Sequence, residues 1–286
     1  MNHPIKKYTF KTGLPQEFEI VQIGQLYQEF TDALTTTHRA AFYHILWFQT
    51  GCPTHLVDFK PVEIKPYTVL FLNKDTVQRF DKAGGFDGKA ILFTDSFFCK
   101  TESDIKFLRN TILFNDLFDI SQIQLQDTTI ADLFEQMEAE LEHDKDIAQA
   151  DILKNFLHNF LLLAERERRK QNFIEVKRGP DLDYLMLFKD LLENSYRQHK
   201  QVSYYASELS ITEKRLNQAT SKILDKSPKQ IIDERVMLEA KRLLAHTHES
   251  VKEIGFALGF EEPTNFVKFF RKHASTTPTE FRTQFT

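Results

Sequence analysis

The sequence predicts an α+β multidomain protein with an N-terminal β barrel or sandwich, a helical region and an all-α C-terminal domain. Three observations support this. Short strands alternate with turns up to about residue 125, helical periodicity follows from 126 to 170, and two similar helix pairs come after Asp183. With 286 residues, the chain is long enough for two domains that each have a core.

Residues 1–125 have the pattern of a β domain. Aromatic and β-branched residues fill Phe42–Gln49, and this run stops at the turn residues 51–53. Further strands are predicted over Thr54–Phe59, Tyr67–Leu72 and Lys89–Phe93. Nineteen of the 27 phenylalanines precede Asp183, so we expect most of them to form a core, and a ligand pocket is only a secondary inference.

Residues 126–170 form a predicted helical packing or dimerisation region. Apolar residues recur at helical spacing from Ile130 to Leu141 and again from Ile152 to Ala164. The periodicity describes packing on the β domain and pairing with a second subunit equally well. Because the second stripe is broader than a small β domain needs, we expect a homodimer in which Phe156 and Phe160 meet at a two-fold axis.

A linker is predicted over residues 171–182, which contain Gly179-Pro180, and the C-terminal domain over 183–286. This domain has 16 Lys and Arg against 14 Asp and Glu, whereas the rest of the chain has 21 against 27. A slightly basic domain on an acidic body permits nucleic-acid binding, although the local placement of charges matters more than the totals.

The C-terminal domain contains two segments of the same design. In the first, Thr212 caps a helix after a turn. Its inward positions are Leu216, Ala219 and Ile223, and its polar stripe is Lys214, Asn217, Gln218 and Ser221. In the second, Gly259 ends one helix and Pro263 suits the first position of the next. Its inward positions are Phe266 and Phe270, and its outward stripe is Thr264, Lys268 and Arg271.

Such stripes have the side chains that a major-groove reader needs, since amides pair with adenine and an ammonium with guanine or phosphate. Polar stripes occur on every surface helix, so a single segment equally indicates an ordinary amphipathic helix pair. Two segments in tandem, joined by a long helix that starts at Ser227-Pro228, favour DNA binding.

Specific residues carry a family resemblance. They are Arg235, Ala240 and Leu243-Leu244 in the connecting helix, then Ile254, Leu258-Gly259-Phe260, Phe266, Phe270 and Thr277–Arg282. With these residues, the stretch Val202–Arg282 resembles the DNA-binding domain of AraC/XylS-type regulators. The resemblance implies a sequence-specific DNA-binding transcription regulator, an activator, whose partners are double-stranded DNA and RNA polymerase.

The resemblance also implies roles by motif position. The base readers would be Lys214, Asn217, Gln218, Thr264 and Lys268, and the phosphate contacts Arg271 and Lys272. The sequence departs from the family at four positions: Asp225 and Ser275 stand where glycine is usual, Thr220 replaces a core aromatic residue, and Gly255 replaces alanine. The first segment is therefore the less typical of the two.

The β region resembles, more loosely, the cupin-like β barrel that serves these regulators as a sensor domain. Where such domains often carry His-x-His, this chain has His38 and Ala40, and Gln78 stands where a further histidine is common. A metal site needs three or four converging ligands, so we expect no metal, and we expect His38 and His44 to be ordinary polar or surface residues.

The sensor resemblance implies a small-molecule effector that changes how two subunits are oriented. The alternatives are a regulator without an effector, whose β domain serves dimerisation or protein contacts, and, less favoured, a cupin-type enzyme. The sequence has no nucleophile elbow, P-loop or dinucleotide-binding glycine pattern, so no catalytic residue and no cofactor is predicted.

The remaining features concern the compartment. Two cysteines, Cys52 and Cys99, cannot form a disulfide framework and fit a reducing compartment. No signal peptide and no run of apolar residues long enough to span a bilayer is evident. We therefore expect a soluble cytoplasmic protein without a membrane partner.

Overall fold

The computed structural model of the protein describes residues 7–10, 16–114, 120–125, 128–171 and 179–284, and for His246 the backbone only. Contacts divide the chain between Glu175 and Val176 into two compact units, which we call the N-terminal unit and the C-terminal unit. Residues 128–170 belong to the same compact unit as the β strands. Most of the predicted linker lies outside the described residues.

The strands of the N-terminal unit form two five-stranded sheets. They are β1 (Lys7–Tyr8), β2 (Phe18–Gln22), β3 (His38–Ala40), β4 (Tyr43–Thr50), β5 (Thr54–Val57), β6 (Lys60–Glu63), β7 (Thr68–Leu72), β8 (Val77–Arg79), β9 (Asp87–Phe93) and β10 (Gln122–Gln124). The first sheet has the order β1-β3-β8-β5-β6 and the second β10-β7-β4-β9-β2. The β1–β3 pair is parallel and the other pairs are antiparallel.

Six helices accompany these sheets in the described part of the N-terminal unit: α1 (Ile23–Glu29), α2 (Thr31–Thr35), α3 (Asp95–Phe98), α4 (Glu102–Asn110), α5 (Thr129–Glu142) and α6 (Gln149–Lys170). The first four lie in the region whose sequence pattern indicated β strands, and the sequence analysis did not predict them. The signal for α4 was local, because the Thr101 side chain and Asp104 form a reciprocal capping box.

Strand β4 is buried on both faces, which explains its continuous apolar sequence. Its side chains alternate, so Ile45 and Trp47 pack in the core that includes α5 and α6. Leu46 and Phe48 point the other way, into the core between the two sheets. The Trp47 ring lies against Phe134 of α5, with ring centroids 5.0 Å apart.

The wide apolar stripe of α6 packs within the chain. Leu157 and Phe160 are completely buried in the core against the second sheet. The Phe160 ring meets Phe134 edge to face at 5.1 Å and lies 6.3 Å from Phe71 of β7. The predicted dimer contact through Phe160 is therefore wrong. The stripe is wide because α6 packs on one face of the second sheet.

The C-terminal unit has seven helices within residues 179–284: α7 (Pro180–Ser195), α8 (Val202–Glu208), α9 (Glu213–Leu224), α10 (Pro228–His246), α11 (Val251–Ala257), α12 (Pro263–Ala274) and α13 (Pro278–Thr283). Helix α7 begins three residues before the predicted start at Asp183, inside the predicted linker. Proline has no N–H to lose at a first helical position, which suits Pro180.

The predicted fold class is confirmed: an N-terminal β domain with helices precedes an all-α domain with two helix-turn-helix units. Within the described ranges, every helix is too short or too polar to cross a membrane.

Candidate nucleic-acid interface

The first helix-turn-helix consists of α8 and α9. The fully buried Tyr205 of α8 packs edge to face on Phe188 of α7, with centroids 5.3 Å apart. The Thr212 side chain accepts a hydrogen bond from the Arg215 backbone N–H at 3.1 Å, as the sequence predicted for a cap. Because Leu216 is buried on the inner face of α9, the opposite face of this helix is turned to solvent.

The outward stripe of α9 is exposed. It comprises Lys214, Asn217, Gln218 and Ser221. Beside it, Arg215 and Lys222 both pair with Asp181 of α7, each at 2.6 Å, and the Arg215 guanidinium lies 4.8 Å from the centre of the Tyr184 ring. Hydrogen bonds from Lys222 and Arg215 hold the pKa of the Asp181 carboxyl below its ordinary value. Asp181 therefore pairs with the cations on the side of α9 that faces α7, and the outward stripe stays exposed.

The second helix-turn-helix consists of α11 and α12. Phe266 and Phe270 of α12 are completely buried, and Phe281 of α13 packs edge to face on Phe270 at 5.5 Å. The outward residues Thr264, Lys268, Arg271 and Lys272 are all exposed. Asn265 is also exposed on this helix, and its amide is of the type that pairs with adenine. The roles implied by motif position did not include Asn265, which lies three residues before Lys268.

The two turns have the same backbone geometry. The Ile211 N–H donates to the Ala206 carbonyl at 3.0 Å, and the Phe260 N–H donates to the Gly255 carbonyl at 2.9 Å. Ser210 and Gly259 take the left-handed conformation at equivalent places, with φ values of 54° and 73°. Both predicted recognition helices thus follow the same kind of turn.

An open groove of about 350 Å³ lies beside the stripe of α9. Its walls include Lys214 and Asn217 of α9 together with Ser227, Pro228 and Lys229 at the start of α10. The Lys229 ammonium donates to Asp233 at 2.6 Å. The groove therefore continues from the α9 stripe to the exposed Lys229 side chain at the beginning of α10. Lys229 was not predicted as part of this surface, because it lies outside α9 and α12, which carry the predicted polar stripes.

A cluster of ionic side chains holds α7 against α10. The Arg235 guanidinium donates to both oxygens of Glu193 at 2.9 Å and to Glu239 at 3.2 Å, and it lies 4.0 Å from the centre of the Tyr196 ring. Burial acts to raise the pKa of Glu239, but Arg235 and Arg242 outweigh it, and the pKa stays below its ordinary value. These contacts fix α7, the helix on which Tyr205 of the first helix-turn-helix packs, to the connecting helix α10.

The interior of the N-terminal unit contains a buried hydrogen-bonded chain. The Gln78 amide donates to His44 Nε2 at 3.1 Å and accepts from His55 Nε2 at 3.1 Å. Burial lowers the pKa of both histidines to about 3, so both are neutral near pH 7. Of the two expectations for His38 and His44, ordinary polar or surface residues, the structure rules out the surface position, since both are buried. No group of three or more metal-ligating side chains converges among the described residues.

Known proteins resemble both units. The family profile described as "AraC-like ligand binding domain" matches residues 24–158, and the one described as "Helix-turn-helix domain" matches residues 205–284. The two matches together span most of the chain, one in each unit.

Individual relatives agree with these profiles. The lactose operon transcription activator of Staphylococcus xylosus is 31% identical over 96 residues, which is 34% of each chain. The HTH-type transcriptional activator RhaS of Enterobacter sp. (strain 638) is 23% identical over 256 residues, 86% of each chain. Among solved structures, ToxT from Vibrio cholerae matches over 93% of this chain and 97% of its own, at 15% identity and a TM-score of 0.48. The two family profiles and the match to RhaS along most of the chain show that it belongs to the AraC-type family of DNA-binding transcription regulators.

Proposed function

We propose that the protein activates transcription by placing α9 and α12 in successive major-groove segments of double-stranded DNA. Such segments on one face lie one helical turn apart, about 34 Å. The base readers in this proposal are Lys214, Asn217, Gln218, Thr264 and Lys268, and the phosphate contacts are Arg271 and Lys272. The protein acts as a regulator in the cytoplasm, without a catalytic step.

The observation that carries this proposal is the contrast between the two faces of each recognition helix. The inner residues, such as Leu216 and Phe266, are completely buried. In the part of the chain that the structure describes, Lys214 and Lys268 make no ion pair, whereas the neighbouring Arg215 and Lys222 do. Cations without an acidic partner are available to phosphates and base edges.

Selecting bound genomic fragments with the full-length protein, followed by affinity measurements on single-base variants, tests the assignment. Lys268→Ala should reduce discrimination at one base position by about 1–3 kcal/mol, whereas Arg271→Ala should weaken binding to all sequences alike and reduce the salt slope by about one. Lys145→Ala, which removes an exposed charge from the N-terminal unit, is the matched control. Unchanged binding by both C-terminal variants contradicts the proposal.

Activation is tested separately. The lactose operon activator and RhaS, to which the chain is similar, are transcription activators, and activation implies contact with RNA polymerase. Transcription from a promoter that carries the selected site should increase when the purified protein is added to RNA polymerase. A decrease in transcript from the same template would show repression instead.

The aromatic rings packed together inside the described part of the N-terminal unit favour a second candidate, a regulator that needs no effector. The rings of Phe48, Phe80 and Phe86 lie 5.9 to 6.4 Å from one another, next to the buried His44–Gln78–His55 chain. Protein that is unfolded in urea, dialysed and refolded carries no small molecule from the cell. Full DNA binding and activation by that preparation support this candidate, whereas activity that returns only with a cell extract of small molecules supports an effector in the barrel.

We further propose a homodimer that pairs through the outward side of α5 and α6. Leu162 is 45% exposed there and lines an open groove with Leu133 and Leu163. Leu162→Glu should therefore give a folded monomer in sedimentation, and Ile105→Glu, at an exposed apolar position of α4, is the control. A wild-type protein that is monomeric at micromolar concentration contradicts the pairing.

A further inference from the structure

The segment Arg197–Lys200, between α7 and α8, contacts three parts of the C-terminal unit. The Tyr205 hydroxyl of α8 donates to the His199 carbonyl at 2.7 Å, which ties the segment to the first helix-turn-helix. The Arg197 guanidinium pairs with Glu239 of α10 at 3.1 Å. The segment also reaches the turn of the second helix-turn-helix, at Gly259.

Lys200 makes the contact with that second turn. Its ammonium donates to the carbonyl of Arg197 and to the carbonyl of Gly259, both at 3.1 Å, and lies 4.7 Å from the centre of the Phe260 ring. The Lys229 ammonium of α10 donates to the Lys200 carbonyl at 3.3 Å. One half-buried lysine thus bonds carbonyls that are 62 residues apart in the chain.

The backbone of the second turn packs directly on this segment. A Cβ atom placed on Gly259 would lie 1.8 Å from the Arg197 carbonyl oxygen and 3.0 Å from the Lys200 ammonium. Gly259 also has a φ of 73°, where glycine is favoured. The approach is therefore closer than any residue with a side chain allows.

We infer that Lys200 is a positioning residue that fixes the distance and angle between α9 and α12, and thereby the spacing of the two DNA segments that the protein binds. The segment is bonded to the first helix-turn-helix at His199 and to the second at Gly259. Loss of the Lys200 ammonium leaves α10 to hold the two recognition helices in register. This inference rests on the proposed simultaneous reading of DNA by α9 and α12.

The test uses the full-length protein and the DNA duplex recovered by selection. Duplexes with one base pair inserted or removed between the two protected segments rotate one segment against the other by about 34°. The wild-type protein should bind the original duplex at least about tenfold more tightly than either altered one. Lys200→Met should shrink that ratio by about fivefold, which corresponds to the loss of one such hydrogen-bonded contact.

Lys226→Met is the matched control, because Lys226 pairs with Glu234 and has no contact with the second turn among its described bonds. It should weaken all three duplexes alike and keep the ratio. If Lys200→Met keeps the wild-type ratio, the inference is wrong. If it also weakens every duplex equally and reduces the salt slope, Lys200 is a phosphate contact instead. A wild-type protein without any spacing preference would instead contradict simultaneous reading by α9 and α12.

Circular dichroism of the variants separates positioning from folding. Lys200→Gln keeps a hydrogen-bond donor and should show the same change in ratio to a smaller degree. If both Lys200 variants lose their helical signal at room temperature, Lys200 is a determinant of stability rather than of spacing, and the inference is overturned.

Discussion

The two helix-turn-helix units share one backbone turn but build it from different residues. The first uses Ser210, which is exposed, and caps its recognition helix with the Thr212 hydroxyl. The second uses Gly259, which is pressed against Arg197, and begins its recognition helix with Pro263. The turn conformation alone tolerates serine, so glycine is required at the second turn by the close approach of another backbone segment.

The core of the first helix-turn-helix is completed by the helix that precedes it in the chain, and the core of the second by the helix that follows it. The first helix-turn-helix has the buried Thr220 where the second has Phe270, and its Tyr205 packs on Phe188 of the preceding helix α7. The second packs Phe270 against Phe281 of the following helix α13. Helix α10 packs against both helix-turn-helix segments. Each helix-turn-helix is thus supported by its own flanking helix, α7 for the first and α13 for the second.

The largest expected effect comes from truncating the equivalent inner residues. Phe266→Ala should reduce the free energy of unfolding by about 3–5 kcal/mol and Leu216→Ala by about 2–5 kcal/mol, because both leave a cavity in a fully buried site. Urea denaturation followed by circular dichroism measures both. Phe256→Ala, at a half-exposed position of α11, is the control. A normal stability for either inner variant would show that its helix faces the other way.

Substitution in the two turns should separate them next. Gly259→Ala should lower the free energy of unfolding by about 1–3 kcal/mol or more, because the added carbon clashes with the Arg197 carbonyl. Ser210→Ala should change it by less than about 0.5 kcal/mol, since the side chain is exposed. Thermal denaturation monitored at the helical signal compares the two variants. Equal losses would mean that the turn conformation, and not the packed segment, demands glycine.

The flanking helix α7 leads to a prediction for the first helix-turn-helix alone. Asp181→Asn removes the acid that pairs with Arg215 and Lys222, which frees two cations beside the α9 stripe. DNA affinity should rise by about two- to fivefold at low salt and converge with that of the wild type at high salt. Fluorescence anisotropy on a labelled duplex measures this. Asp190→Asn, on the same helix, is the control, and a fall in affinity for Asp181→Asn would mean that the pair orients α9.

The last comparison concerns the ends of α9 and α12, where both helix-turn-helix units lack the usual glycine. Asp225 and Ser275 adopt left-handed conformations with φ values of 53° and 59°. Ser275→Gly should raise the free energy of unfolding by about 1 kcal/mol, and Asp225→Gly by less, because aspartate tolerates this conformation better. Differential scanning calorimetry can resolve such a change. A destabilised Ser275→Gly protein would show that the serine side chain contributes more than its backbone costs.

Local signals account for what the sequence predicted well. The caps at Thr212 and Ser227 and the proline at the start of α12 act within one helical turn, and the structure has them where the pattern placed them. The exposed stripes of α9 and α12 follow from the same periodicity. These features need no knowledge of distant parts of the chain.

Long-range contacts account for what the sequence could not show. Lys200 bonds a carbonyl 59 residues away, and Gln78 joins His44 and His55 from two other strands. Periodicity identified the stripe that contains Phe160 but could not tell which surface covers it, since a stripe is the same whether a sheet or a second subunit packs on it. The start of α7 was missed because Gly179-Pro180 is a signal both for a turn and for a helix start.

The position of Trp47 has a practical consequence. It is the single tryptophan of the chain and lies in the core of the N-terminal unit between β4 and α5. Its fluorescence therefore reports on that unit alone, whereas the helical circular dichroism signal includes both units. A urea titration that is followed by both methods can therefore distinguish the unfolding transitions of the two units, without labels and in a single sample.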